Sequence, residues 1–316
     1  MPEVVTLGET MAVFDGNKKG PLRYIQNYER HTGGAETNVA VGLIRLGHTA
    51  GWISRLGDDE FGHNILSVFK GEGVDVSQVE FDAEHPTGLF FRQKLSNGEC
   101  ENFYYRKGSA ASFLNPENVD EGFISQAKIL HITGITPLLS PTCRKAIEKS
   151  IKIAKDNNVK VSFDPNIRMK MLKDKQESTE IILDMMVNAD IIFPGIDECK
   201  VLFNTENIDE IIKKTEKLGV ETTVIKLGSD GAVGFSNNIK EEVSGFEVNV
   251  VDAFGAGDAF ASGFLASQLK KFSLKDSLVF ATAMGALTVT MEGNIESIPN
   301  FHKVKMFIEG NEIINR

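Results

Sequence analysis

Short apolar runs alternate with longer stretches whose apolar positions recur every three or four residues, and this rhythm fills most of the chain. Residues 4–7 form a compact apolar run ended by Gly8-Glu9, the pattern of an opening strand. Residues 35–46 follow Gly33-Gly34, place Val39, Leu43, Ile44 and Leu46 at helical spacing, and stop at Gly47, which predicts a helix. Residues 50–56 read as a strand, and 59–71 as a helix after the turn Gly57-Asp58. Between the first strand and first helix, residues 21–31 mix aromatic and charged side chains without helical period and read as an extended excursion. Residues 87–95 and 100–106 are aromatic-rich and β-prone, with Ser96-Asn97-Gly98 as a hairpin turn between them. A hairpin inserted among strand–helix units does not easily join a parallel sheet, so a projecting β flap is the economical placement.

From Lys128 the alternation resumes. Strands are expected at 129–133, 159–164, 191–193 and 223–226, with helices at 141–155, within 176–187 and at 208–218. Two β-prone stretches follow Gly231. A β-rich segment at Val250-Val251 then feeds the glycine motif Asp252-Ala253-Phe254-Gly255-Ala256-Gly257-Asp258, and an amphipathic run ends near Lys271. Residues 274–291 predict one more long helix. The fold class is α/β, with a mostly parallel sheet and helices on both faces.

The bulk numbers narrow the function. At 316 residues with 41% hydrophobic content, the chain has material for one large core. A net charge of −10 argues against a general nucleic-acid or membrane surface. The N-terminal residues lack the basic region and apolar run of a signal peptide, and no segment approaches the roughly 20 apolar residues of a membrane span. Cys100, Cys143 and Cys199 are odd in number and widely spaced, as expected of reduced thiols in the cytoplasm.

The glycine motif carries the chemistry. Two glycines let the backbone turn sharply, and a helix starting there offers its N–H groups and dipole to an anion. Asp258 falls in the first turn, where a carboxylate suits taking a proton from an alcohol beside a stabilised anion. The same spacing also fits a strand–turn–helix corner whose Asp is only a cap. It is not a dinucleotide fingerprint, because Phe260 holds the third small-residue position, and no Walker A loop occurs. Gly33-Gly34 opens a second helix mouth carrying Asn38, either a ligand-approach site or a simple cap. Tyr104 and Arg106 share one face of a strand and Tyr105 takes the other, which suits either a carboxylated ligand met by a hydroxyl and a planar guanidinium or a solvated edge strand whose aromatics pack on the core. Asp164-Pro165-Asn166-Ile167-Arg168 follows a buried strand, at the end where α/β sheets bind ligands, and is either a phosphate or carboxylate site using Asn166 and Arg168 or a structural turn with a surface Arg. Lys226-Leu227-Gly228-Ser229-Asp230-Gly231 is either a hairpin or the lining of a nucleotide channel.

Taken in order along nearly the whole chain, Gly33-Gly34 with Asn38, the Lys226–Gly231 turn and the Asp252–Asp258 motif resemble the ribokinase-like (PfkB) sugar kinases. Within that family, Pro86-Thr87-Gly88, the run Tyr104-Tyr105-Arg106-Lys107-Gly108-Ser109-Ala110 and Gly134-Ile135-Thr136 look like 2-keto-3-deoxygluconate kinases. The resemblance implies a three-layer α/β/α domain over 1–316, with a small β-sheet lid formed by segments 12–32 and 86–108. It implies ATP- and Mg2+-dependent phosphorylation of the 6-hydroxyl of a sugar acid. Asp258 matches the catalytic base, and Gly255, Ala256 and Gly257 match the anion hole. Gly33, Gly34, Asn38, Phe90, Tyr104, Arg106, Arg168 and Asn294 match sugar-side positions. Asn166, Lys226, Gly228, Ser229 and Gly231 match nucleotide-side ones.

Three departures accompany the match. Phe90 stands where some relatives have a tyrosine. Gly195 replaces the Asn of an Asn-x-x-Glu element, leaving Glu198 to act on Mg2+ through water. Asn294 stands where subfamily relatives often have Asp. The helix N-terminus is expected to lower the Asp258 pKa. An apolar face including Phe90, Phe103 and Tyr105 either pairs with a second subunit or covers the core; a homo-oligomer built through the lids is expected. The alternatives are a kinase of a neutral sugar such as fructose or ribose, and a non-catalytic sensor on the same scaffold.

Overall fold

The structure, a computed structural model, describes residues 1–95, 100–169 and 174–314. The chain opens with β1 (Val4–Leu7), passes through β2 (Met11–Lys19) and β3 (Tyr28–Gly33), and enters α1 (Ala35–Arg45). β4 (Ala50–Gly57), α2 (Glu60–Gly71) and β5 (Asp75–Asp82) follow, then β6 (Leu89–Lys94) and β7 (Cys100–Tyr105). Next come α3 (Glu121–Ser125), β8 (Ile129–Thr133), α4 (Pro141–Asp156), β9 (Lys160–Asp164), α5 (Lys175–Val187) and β10 (Ile191–Ile192). α6 (Ile196–Phe203), α7 (Ile208–Lys217), β11 (Thr222–Lys226), β12 (Gly231–Ser236) and β13 (Ile239–Ser244) lead to α8 (Ala256–Leu269), α9 (Leu274–Thr288) and α10 (Phe301–Ile314).

The main sheet has nine strands in the order β13-β12-β11-β10-β9-β8-β1-β4-β5. Neighbours from β5 through β11 are parallel, and β12 turns the pattern antiparallel. Successive strand residues feed opposite layers: Val4 joins the core against α1, α8 and α9, while Val5 and Leu7 join the core against α4. The strand order reverses at β1, between β4 and β8, and such a reversal opens a crevice at the carboxyl ends of the strands. The end of β1 is tied down there: the buried Trp52 ring N–H and the Ser54 hydroxyl both donate to the Gly8 carbonyl, at 3.0 and 2.7 Å. Glu9 follows directly, with its side chain buried.

A second sheet of four strands, β3-β2-β6-β7, joins the two inserted segments in one layer. The hairpin pairing of β6 with β7 is antiparallel, as the sequence predicts, while its Ser96-Asn97-Gly98 turn lies outside the described residues. Phe90 faces Tyr104 across this hairpin and Phe91 faces Phe103. Phe90 therefore lies on the inner face, buried with Met11, Val13 and Phe254, and not on the outer face with Phe103 and Tyr105 as expected.

Other departures from the sequence pattern have local causes. No strand forms at Val250-Val251; both are half-exposed and belong to an irregular passage between β13 and α8. α8 is not amphipathic. Its residues from Asp258 to Ser267 are buried, because it is wedged between α1 and α9. Small residues permit that: a Cβ on Gly263 would lie 2.8 Å from Met284, and one on Gly42 2.2 Å from Ser262. β5, α6 and α10 were not anticipated: β5 is an edge strand with several exposed positions, and α6 begins directly after Pro194-Gly195.

Candidate active site

Gly255 has φ +76°, a left-handed conformation that turns the chain into α8, and its Cβ position would be 2.7 Å from the Asn294 amide oxygen. Ala256 and Gly257 then form the first helical positions, where backbone N–H groups lack intrahelical acceptors. Asp258 completes the turn. Its carboxylate is buried and accepts a 2.6 Å hydrogen bond from the Asn38 amide. Asn38 and Asn294 pair reciprocally through their amides at 2.9 and 2.7 Å, and Asn294 also donates to the Thr32 carbonyl at 2.7 Å. Asn294 thus reaches Asp258 only through Asn38, and an amide there supplies the donor and acceptor that the reciprocal pair requires.

The expected lowering of the Asp258 pKa is reversed. Burial pushes it up to about 7, and the nearby Asp164 charge adds to this, against the pull of Asn38, Arg168 and Lys226. Loss of hydration of the carboxylate outweighs the helix end.

Lys226 closes the corner from the end of β11. Its ammonium binds the buried Asp164 carboxylate at 2.6 Å, and a Cβ on Gly257 would stand 3.7 Å from it. Burial opposes that charge, but Asp164 and Glu198 more than offset it, so the Lys226 pKa is raised. Glu198 caps α6 by accepting from Gly195 N–H at 2.7 Å, and it accepts from Ile167 N–H at 2.6 Å. It therefore pins the 165–168 turn that carries the exposed Arg168, whose charge acts on Asp258. Asn166 holds the left-handed corner of that turn at φ +41°.

Beside this corner lies a cavity of about 580 Å3, lined by Lys226, Gly228, Ser229 and Gly231, by Ala256 and Gly257, and by apolar side chains including Val250, Phe260 and Val289. An apolar slot whose mouth is formed by a helix N-terminus and an ammonium fits a nucleoside with its phosphates at the mouth. For a divalent cation the protein offers little by itself. Asp164 is paired with Lys226, both Glu198 oxygens accept backbone N–H groups, and no cluster of three potential metal ligands occurs among the described residues. Such a donor set suits Mg2+ held mainly by phosphate oxygens and water.

The other side of the crevice belongs to the small sheet. The Arg106 guanidinium lies 5.6 Å from the Tyr104 ring centroid, so those two share a face as predicted, while Tyr105 is 66% exposed on the other. Arg106 does not simply await a ligand. It is paired with the fully buried Glu9 carboxylate through Nε at 2.7 Å and through Nη2, and Ser109 donates to the same carboxylate at 2.5 Å. Gly33 joins the two sides, since a Cβ there would press on Val13, Phe90 and Phe254. At Gly34 a Cβ would lie 2.7 Å from the Glu9 carbonyl, so only glycine fits at this mouth of α1. Nearby, Glu36 is buried and accepts from the Thr133 and Thr136 hydroxyls at 2.7 and 3.0 Å; burial raises its pKa.

The fold gathers Gly255–Gly257, Asp258, Asn38, Asn294 and Lys226 at one corner, and Gly34, Phe90, Tyr104 and Arg106 along the facing wall. Sequence reasoning passed over Glu9 and the side chain of Asp164. Both carried a signal, each standing at the carboxyl end of a predicted parallel strand.

The chain matches the family model described as pfkB family carbohydrate kinase over residues 1–300. It is 36% identical over 316 residues to the 2-dehydro-3-deoxygluconokinase of Bacillus subtilis (strain 168), covering 99% of this chain and 98% of that protein. It is 31% identical to a probable fructokinase-4 of Arabidopsis thaliana, covering 98% and 97%. Among solved structures, a candidate Ribokinase II from E. coli in complex with ATP and Mg2+ superposes with a TM-score of 0.92 at 29% identity, covering 98% of this chain and 100% of that one.

Proposed function

The chain belongs to the pfkB family of carbohydrate kinases, and within that family we propose that it transfers the γ-phosphoryl group of ATP to the 6-hydroxyl of 2-keto-3-deoxygluconate. One observation carries the reading. A buried carboxylate with its pKa raised to about 7 stands in the first turn of a glycine-opened helix, between an apolar cavity and an arginine-bearing wall. In this reading Asp258 orients the acceptor hydroxyl and takes its proton as oxygen bonds to phosphorus and the bond to the departing ADP breaks. A carboxylate near pKa 7 is better matched to that proton at neutral pH than an ordinary one.

The N–H groups of Gly255 to Gly257 and the Lys226 ammonium would hold the phosphoryl oxygens, with Asn166, Gly228, Ser229 and Gly231 along the nucleotide. Lys226 exchanges its Asp164 partner for phosphate in this scheme. When bound, Mg2+ supplies charge neutralisation on the phosphates, and Asp164 and Glu198 are the residues to hold it, through water.

On the acceptor side, Gly33, Gly34, Asn38 and Phe90 shape the pocket, and Asn294 supports it through Asn38. Tyr104, Arg106 and Arg168 read the acid's carboxylate, with Arg106 shared between ligand and Glu9. The small sheet acts as a lid in this reading, excluding water and limiting futile ATP hydrolysis. Its outer face, bearing the exposed Tyr105, is assigned to contact between copies of the chain; a monomer by sedimentation at assay concentration would refute that assignment.

A second reading, a kinase of a neutral sugar, is favoured by the Arg106–Glu9 pair itself, because a guanidinium neutralised by a buried carboxylate offers less charge to an acid. Coupled ADP release across a panel of sugars and sugar acids decides. Turnover confined to 2-keto-3-deoxy acids supports the first reading. Preferred turnover of fructose or ribose rejects it for the second.

A further inference from the structure

Arg92 takes no part in the site as described so far, yet it is a buried and heavily committed charge in the small sheet. Its side chain is 4% exposed. From β6 it donates through Nη1 to Asp15 on β2 at 2.9 Å. It also forks the Asp252 carboxylate through Nη1 and Nη2, both at 2.8 Å. The guanidinium stacks 4.3 Å from the centre of the Phe254 ring. Asp252 in turn accepts from Phe254 N–H at 3.1 Å, and its own N–H donates to the carbonyl of Val289, the residue that follows α9. One cation therefore ties a strand pair of the small sheet to the two residues that lead into Gly255.

Stability is a poor explanation for this arrangement. Three buried charges are expensive to desolvate, and such groups are commonly replaceable by apolar side chains without loss of stability. What a planar, bidentate cation does provide is register: two parallel hydrogen bonds fix both the distance and the angle of Asp252. The stacked Phe254 ring fixes a third direction.

We propose that Arg92 is a positioning residue for phosphoryl transfer, coupling the small sheet to the glycine turn so that movement of the sheet onto an acceptor sets the turn. The inference rests on the reading of Gly255–Gly257 as the phosphate cradle. Arg92 touches neither acceptor nor nucleotide in this role and acts through Asp252 and Phe254.

Two variants test it. Arg92→Lys keeps the charge but loses the fork. Asp15→Asn weakens the sheet end of the tether and leaves the fork on Asp252. Both are assayed well below their unfolding midpoints, on whichever acceptor the wild type uses best, with amide hydrogen exchange of residues 253–258 measured in parallel. Small misplacements at a reacting centre cost up to about a hundredfold in rate. Arg92→Lys is expected to lower kcat about tenfold or more, with KM for acceptor and ATP within about threefold, and to speed exchange in the turn while β1 and β8 stay as in the wild type. Asp15→Asn is expected to lower kcat while exchange in the turn is unchanged. A kcat within about twofold of wild type in either variant overturns the coupling, as does a loss confined to acceptor KM. Exchange needs no acceptor, so failure of the sugar-acid reading is distinguishable from failure of this one.

Discussion

The corner at Gly255–Asp258 and the wall formed by the small sheet solve opposite problems with different materials. The corner is made mostly of backbone: a left-handed glycine, the open N–H groups of a helix start, and one carboxylate whose pKa is raised by burial. The wall is made of side-chain charge, with Arg106 on the buried Glu9 carboxylate, while Arg92, between Asp15 and Asp252, ties the small sheet to the corner and belongs to neither side. Backbone geometry serves any phosphoryl acceptor alike, whereas paired charges with exchangeable partners discriminate between acceptors. The difference suggests a division of labour, in which damage to the corner removes turnover on every substrate and damage to the wall alters choice and stability.

The largest expected effect breaks the corner. Asp258→Asn removes the proposed proton acceptor while keeping a polar group of the same shape beside Asn38, and should lower kcat about 10²- to 10⁴-fold on acid and neutral acceptors equally, with nucleotide binding and folding retained. Loss on one acceptor class only would mean that Asp258 belongs to the wall. The same residue sets a pH dependence. A base must be unprotonated, and its pKa is raised from 3.8 to about 7, so kcat/KM should fall as pH drops below about 7 rather than below 4. An acid limb centred near 4 would show that burial does not govern it.

Next comes the wall. Arg106→Ala leaves the Glu9 carboxylate buried without its cation, a change that costs about 3–5 kcal/mol in other buried pairs. The unfolding midpoint should fall accordingly, and adding Glu9→Gln should recover much of the loss. No recovery would mean that the pair is not the source. A smaller effect is expected from Gly255→Ala, which places a Cβ in left-handed backbone against Asn294 and should cost about 1–3 kcal/mol in thermal or denaturant unfolding.

The smallest concerns a peripheral tether, His31 on β3 bound to Glu296 at 3.0 Å. The Glu296 hydrogen bond raises the His31 pKa above its ordinary 6.5 against burial, so its stabilisation is present below pH 6.5 and lost as pH rises through the folded value. Glu296 is held down to about 2: burial opposes this, and His31 with backbone N–H groups overcomes it. Its contribution is present above about pH 4.5 and lost as pH falls towards 2. Both are charged between about pH 4.5 and 6.5. Glu296 is about half exposed, so His31→Gln should cost less than about 1 kcal/mol in that window and nothing resolvable well above it.

How much of this was legible in the sequence follows the same division. The Gly255 turn, the Asn38 helix and the strand ends at Asp164 and Lys226 are local patterns, and local patterns survive in one dimension. The hairpin and its placement outside the main sheet were legible for the same reason. The pairing partners were not. Glu9 meets Arg106 and Asp15 meets Arg92 across 97 and 77 positions of chain, and no spacing rule connects them. The Asp258 pKa was misjudged because helix position is visible in sequence while burial between α1 and α9 is a tertiary fact. Phe90 was assigned to the wrong face because the β6–β7 register, which sets it opposite Tyr104, is fixed by pairing and not by composition.

The measurement that bears most directly on the division is the ratio of kcat/KM for 2-keto-3-deoxygluconate to that for fructose, in the wild type and in Arg106→Ala, taken well below the unfolding midpoint of each. A charged hydrogen bond is worth about 1.5–3 kcal/mol, so the ratio should fall about ten- to hundredfold while kcat/KM for fructose stays within about threefold. A ratio unchanged by the substitution would contradict the account.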